Sequence, residues 1–254
     1  MDRTTLITGA SSGIGRALAG EMAQRGHDLG LGARRIEALE EVRREILREN
    51  PERRVEIREL DVTDYDEVPA FVREMATAFG GLDVVVANAG VGGNGLVGHG
   101  HARTDRAVIE TNVLGAMATI DAAVELFLRQ GRGQVVAISS VAAFRGLPGS
   151  GSYSASKAAI ATYADAVRAE VHGKPIKVTT LYPGYIDTAI NQEVRSRPFL
   201  IDLDKGARLI ADKIERGAGS STVPVFPWKI VSRILRVLPT AAVAKAAATE
   251  RTGD

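Results

Sequence analysis

The chain has 254 residues, 45% of them hydrophobic, and its 32 basic and 31 acidic side chains leave a net charge of +1. This is ample material for a globular core, read as one domain over residues 1–254. The absence of cysteine excludes disulfides, thiolate zinc sites and cysteine nucleophiles, and a near-neutral balance without a long basic tract argues against nucleic acid as a partner.

The first eight residues carry no basic segment followed by an apolar stretch and a cleavage site, so the cytoplasm is the expected compartment. Short β-type runs at residues 4–8, 28–33, 55–60, 84–88, 135–139, 177–181 and 222–226 alternate with longer stretches of helical period. Most are nearly continuous apolar runs, which suit a parallel sheet buried on both faces, whereas a half-exposed sheet would alternate. Between them Ile36, Leu39, Val42 and Ile46 mark one amphipathic helix, and Val68, Phe71, Val72, Met75 and Phe79 mark another. The charges clustered at 34–58 read as a solvated helix face. Gly30 and Gly32 are poor strand formers inside the second strand and read as points where a helix comes close. The alternation predicts a doubly wound sheet whose ligand crevice lies beyond the carboxyl ends of the strands.

The first strand-to-helix connection, residues 8–15, reads TGASSGIG. Gly9 allows a tight turn, while Gly13 and Gly15 let backbone amides and a helix amino terminus approach a pyrophosphate. An ordinary strand-to-helix turn is the plain alternative. The letters also match a nucleophile elbow centred on Ser11, but His27, His99, His101 and His172 leave no histidine near the carboxyl end, where a hydrolase needs one. His99 and His101 sit on a glycine-rich loop without carboxylate support, and no metal site is expected. Ser140 closes an apolar strand, and Tyr153 and Lys157 stand four apart in YSASK. On a helix, i and i+4 share a face, so the Lys157 ammonium is expected beside the Tyr153 phenol, pulling its pKa down from ~10 toward neutrality. Such a phenol is an acid or base for work on an alcohol or carbonyl, although many exposed helices carry the same pair as a solvated stripe. The run SASK also fits the SxxK of acyl enzymes, but the accompanying KTG is absent.

Together these residues resemble the short-chain dehydrogenase/reductase family over residues 5–188, with looser agreement beyond. TGASSGIG, with Gly9, Ser11, Ser12, Gly13, Ile14 and Gly15, is similar to that family's cofactor loop. Asp61 and Val62 of DVT look like its adenine contact, and Asn88, Ala89 and Gly90 look like its strand-four motif. Pro183, Gly184, Ile186 and Thr188 in PGYIDT look like the segment that holds the nicotinamide carboxamide. Ser140, Tyr153 and Lys157 keep the family's spacing, and Asn112 in TNVLG looks like the fourth catalytic member. The implied fold is α/β, a doubly wound Rossmann-type parallel sheet of about seven strands in the order 3-2-1-4-5-6-7 with helices on both faces. The implied reaction interconverts a carbonyl and a secondary alcohol. In the reductive direction hydride passes from a reduced nicotinamide to the carbonyl carbon while Tyr153 protonates the alkoxide and Ser140 donates a hydrogen bond to it. Lys157 would lower the phenol pKa and hold a nicotinamide ribose hydroxyl, and Asn112 would position a water linking Lys157 to solvent. A catalytically idle NADP(H)-sensing or binding protein is the alternative, because a fold alone does not establish turnover.

NAD-preferring relatives carry an acidic residue at the end of the second strand, where this chain has Ala33, Arg34 and Arg35. Arg34 suits a 2′-phosphate and a stacked adenine, with Arg35 a second candidate contact, so NADP(H) is the expected cofactor and NAD(H) the alternative. Arg16 belongs to the surface of the first helix. By resemblance the substrate pocket is formed by residues 92–96, 141–152 and a lid at 188–203. Phe144, Leu147, Tyr185 and Phe199 there favour an apolar small molecule, whereas Arg145, Arg195 and Arg197 read as solvated. The C-terminal extension, 227–254, contains PWKIVSRILRVLP, with Ile230, Ile234, Val237 and Leu238 along one helical side and Lys229, Arg233 and Arg236 elsewhere. It is too short and too charged to span a bilayer. Packing on the substrate region, an oligomer interface and contact with an anionic membrane are its three readings, in that order. The resemblance implies a homodimer or homotetramer formed by helices within 103–128 and 154–171.

Overall fold

Leu6 and Ile7 are neighbours in the first strand, yet they enter opposite hydrophobic cores, because successive strand side chains point to opposite faces. A sheet between two cores follows. The computed structural model describes residues 3–192, 194 and 196–249. Strands β1 (Arg3–Thr8), β2 (His27–Ala33), β3 (Val55–Glu59), β4 (Val84–Ala87), β5 (Gly133–Ile138), β6 (Ile176–Pro183) and β7 (Ser220–Val223) form one sheet in the order β3-β2-β1-β4-β5-β6-β7. Every pairing is parallel. This is the doubly wound arrangement read from the sequence.

Helices α1 (Gly13–Gln24), α2 (Ile36–Glu49) and α7 (Leu203–Arg216) cover one face, where Leu18, Met22, Leu39, Ile210 and Ile214 meet Ile7 and Leu31. Helices α3 (Glu67–Phe79), α5 (Ala116–Gln130) and α6 (Gly151–Glu170) cover the other, where Phe71, Phe127 and Ile160 meet Leu6 and Val85. Each of these fully buried large side chains contributes about 1.5–3 kcal/mol by leaving water. Gly30 and Gly32 admit α3 as expected: a Cβ on Gly30 would lie 3.3 Å from Met75 Sδ, and one on Gly32 only 2.6 Å from Phe71 Cζ. The charged face at 34–58 is solvated, and Arg16 of α1 pairs with Glu45 of α2 at 2.6 Å.

Helix α4 (Ala102–Ile109) runs through a π-helical turn, Glu110–Gly115, into α5. The whole run, Ala102–Gln130, is long and apolar enough to cross a membrane by composition, but half of its most apolar window is buried in the fold. The last strand differs from expectation: it occupies Ser220–Val223 where the composition suggested 222–226. Pro224 has no backbone N–H to offer its neighbour and ends the pairing with β6 at Val223. The chain then forms α8 (Trp228–Val237) and α9 (Thr240–Thr249). At the amino end of the sheet, away from the strand carboxyl ends, buried His27 bonds Thr5 Oγ1 through Nδ1 at 2.7 Å and Glu215 of α7 through Nε2 at 2.8 Å.

Candidate active site

The carboxyl ends of the strands open on a cleft of about 660 Å³. Its floor is the glycine loop. Gly9 has φ +69° and Gly13 φ +54°, the left-handed region that glycine enters without strain. A Cβ on Gly9 would lie 2.7 Å from Ala89 Cα, and one on Gly15 would lie 2.4 Å from Gly9 O and 2.5 Å from Asn88 Nδ2. These glycines are therefore fixed by close packing of the loop against the end of β4. Thr8 locks that contact: its hydroxyl donates to Val86 O and accepts from the backbone amides of Asn88 and Ala89, each at 3.2 Å, while Asn88 Nδ2 donates to Thr8 O at 2.9 Å. Thr8 was not singled out from the sequence, although a hydroxyl directly before the glycine run was a usable signal.

Helix α1 begins with no side-chain cap on its amino terminus, so its first amides point to the cleft, where the helix dipole favours an anion. Ser11, Ser12, Ile14, Asp61 and Val62 line the same end, and the Asp61 carboxylate is held by the backbone and hydroxyl of Thr63. Arg34 and Arg35 form the rim. Arg35 donates to Ser11 Oγ at 3.1 Å, which ties it to the glycine loop, and Arg34 makes no ion pair among the described residues. A glycine cradle and open helix amides fit the pyrophosphate of a nicotinamide dinucleotide.

Deeper in, Ser140 caps a short 3₁₀ turn, Val141–Phe144, by accepting from Ala142 N at 3.2 Å. Its hydroxyl donates to Pro183 O at 3.5 Å and lies beside the Tyr153 phenol. Lys157 is buried, donates from Nζ to Ile138 O at 3.0 Å, and lies 5.7 Å from the Tyr153 ring centre. The three side chains predicted to act together do share one chamber. The predicted sign of the phenol's shift does not hold, however. The Tyr153 ring is partly open to the cleft but its hydroxyl sits deep, and burial pushes its pKa up; the Ser140 hydroxyl opposes this without reversing it. Burial also lowers Lys157, to about 8. The spacing brought the two groups together, and desolvation is the largest cause of both shifts.

Asn112 lies in the π turn and is fully buried. Its Oδ1 accepts from Val91 N at 2.8 Å, and its Nδ2 donates to Val91 O at 2.9 Å and to Ser156 Oγ at 3.2 Å. Both side-chain N–H groups are thus spent on protein, which makes Asn112 a clamp between the end of β4 and α6. A Cβ on Gly90 would lie 3.2 Å from Asn112 Oδ1 and 3.5 Å from Lys157 Nζ, so Gly90 is where these two groups meet.

The opposite wall comes from described residues within 183–199 and from the C-terminal helices. Pro183, Gly184, Ile186 and Thr188 line the cleft, and Thr188 reaches Gly13, where an added Cβ would be 3.7 Å from its methyl group. Phe144 stacks on Tyr182 at 4.6 Å, and Trp228 has Tyr185 at 6.0 Å and Phe199 edge-on at 5.7 Å. Trp228, Val231, Leu235, Leu238 and Val243 complete this apolar side. Of them only Leu238 was named from the sequence, and it leaves the stripe assigned to it: Ile230, Ile234 and Val237 face solvent while Leu238 turns inward. Arg145 bonds Thr240 Oγ1 and Arg197 pairs with Asp187, both away from the chamber, and Arg195 lies outside the described residues. His101 packs its ring against Gly95. Among the described residues no three metal-binding side chains cluster.

A family model described as short chain dehydrogenase matches residues 3–198. An uncharacterized oxidoreductase of Mycobacterium tuberculosis is 39% identical over 235 residues, 92% of this chain and 93% of that one. The 11-beta-hydroxysteroid dehydrogenase 1A of Arabidopsis thaliana is 41% identical over 191 residues, 75% of this chain but 54% of its own length. Among solved structures, an alcohol dehydrogenase from the archaeon Thermococcus sibiricus, complexed with 5-hydroxy-NADP, superposes with a TM-score of 0.77 at 30% identity, covering 84% of this chain and 90% of that one. The glycine cradle, the Ser140, Tyr153 and Lys157 chamber and these likenesses agree, and the chain belongs to the short-chain dehydrogenase/reductase family of oxidoreductases.

Proposed function

We propose that this oxidoreductase interconverts a carbonyl and a secondary alcohol on an apolar small molecule, with NADP(H) as its preferred cofactor and NAD(H) as the alternative. The observation that carries the reading is that Ser140, Tyr153 and buried Lys157 line one chamber with the glycine cradle. When bound, the nicotinamide supplies or accepts the hydride. Tyr153 stays protonated at neutral pH because burial raises its pKa, so it is a proton donor to a carbonyl oxygen as that oxygen gains negative charge. Ser140 donates a hydrogen bond to the same oxygen and stabilises it before the proton arrives. Lys157, with a pKa of about 8, is an ammonium at neutral pH, and its charge favours the tyrosinate left after transfer. Asn112 positions this group by clamping Val91 to Ser156. A resting neutral phenol suits reduction better than oxidation.

Arg34 and Arg35 support NADP(H): the rim offers two cations and no carboxylate at the end of β2. The described part of residues 188–203 acts as the substrate lid, and residues 228–243 form the far wall; residues 250–254 of the C-terminal extension lie outside the described residues. Ile109, Leu114 and Leu128 are apolar yet exposed on α4, the π turn and α5, which supports a homodimer or homotetramer through these helices. The test is a panel of apolar ketones followed by NADPH and NADH absorbance. Turnover with a higher kcat/KM for NADPH is expected, and tight cofactor binding without turnover of any ketone would leave a dinucleotide sensor instead.

A further inference from the structure

Helix α8 has two working faces, and only one belongs to the cleft. At about 100° per residue, Trp228, Val231 and Leu235 share the side that lines the cleft. Ile230, Ile234 and Val237 fall within a sector of about 60° on the other side, and they are 53%, 50% and 79% exposed. Phe226, just before the helix, is 74% exposed and adds to the apolar surface there. Lys229, Arg233 and Arg236 lie together along one flank. Arg236 stacks 4.7 Å over Phe144, so Lys229 and Arg233 are the outward cations. Residues 217–249 contain four basic residues and no acidic one, in a chain that is otherwise balanced.

An apolar stripe bordered by cations has two plausible occupants. A second copy meeting this face about a two-fold axis would set Lys229 and Arg233 near their own images, with no carboxylate in 217–249 to pair them. A surface of anionic lipid headgroups matches both parts, with the stripe entering the acyl boundary and the cations staying among the phosphates. We infer that the outer face of α8 docks the protein on an anionic lipid surface. Phe199, exposed and edge-on to Trp228, continues the apolar rim from α8 to the substrate side, which places the docked face beside the cleft.

Flotation of the full chain with vesicles tests this without any need for turnover. One set is phosphatidylcholine alone and the other phosphatidylcholine mixed with phosphatidylglycerol, each at low and high salt. The protein should float with the mixed vesicles only, and less at high salt. The double variants Lys229→Glu with Arg233→Glu, and Ile230→Ser with Ile234→Ser, should each weaken binding by about ten-fold or more while keeping the cofactor affinity of the parent. The inference is overturned by flotation with neither set, by equal flotation with both, or by serine variants that split an oligomer in sedimentation while the parent binds no vesicle. Because the readout is lipid binding, its failure leaves the proposed reaction standing, and a chain that floats yet reduces no ketone separates the two in the other direction.

Discussion

The glycine loop and the Trp228 wall face each other across one cleft, and they are made of different materials. On the loop side, backbone meets backbone: Gly9 lies against Ala89, Gly15 against the Gly9 carbonyl, and Thr8 and Asn88 bond main-chain groups. On the wall side, rings and branched side chains pack on one another around Trp228. A backbone-built surface leaves no room for an added methyl group, because its neighbours are held by the sheet. A surface built from side chains can be reshaped by one substitution. The contrast separates what every substrate needs, a fixed dinucleotide, from what distinguishes one substrate from another.

Variants can break or sharpen this contrast. The largest effect is expected at the seam between the halves: Tyr153→Phe should lower kcat by about 10²–10⁴-fold while NADPH affinity, read by fluorescence titration, stays near the parent value. Turnover close to the parent's would remove Tyr153 from proton transfer. On the loop side, Gly15→Ala forces a Cβ to within 2.4 Å of the Gly9 carbonyl and should weaken NADPH binding by about ten-fold or more. Trp228→Phe, on the wall side, should raise the KM of an apolar ketone about three- to ten-fold and leave the NADPH Kd unchanged. If either variant moved both constants equally, the two halves would not be separate.

Arg34→Glu should reduce the proposed preference for NADPH over NADH by about ten-fold, measured as a ratio of kcat/KM values, since it replaces a rim cation with a carboxylate. The mildest change is in pH. Lys157 titrates at about 8, so it is charged below that value and neutral above it. The kcat/KM for reduction should therefore be flat near neutrality and decline as pH rises past about 8, and a profile still level well above it would detach the Lys157 charge from catalysis.

The same contrast explains what could be read in advance. The motif TGASSGIG was legible because only glycine fits where Gly9 and Gly15 meet other backbone, and the Tyr153 and Lys157 pair because helical geometry fixes i and i+4. Burial was not legible from that spacing, so the direction of the Tyr153 shift came out opposite. The wall was harder still. Trp228, Val231 and Leu235 look like Ile230, Ile234 and Val237 in a sequence, since apolar residues at helical intervals do not say which side meets protein and which meets solvent. Strand β7 ends three residues early because Pro224 stops its pairing at Val223, a boundary that hydrophobicity does not mark.

His27 makes the blunt end of the sheet an acid-labile clasp. Burial lowers its pKa from 6.5, so the folded chain holds the imidazole neutral where the unfolded chain would protonate it. Its contribution is complete above 6.5 and is lost as the medium acidifies below that value. Protonation burdens a ring wedged between Thr5 and Glu215, the link joining β1 and β2 to α7. Souring the solution therefore loosens this molecule from underneath, at the end farthest from its chemistry.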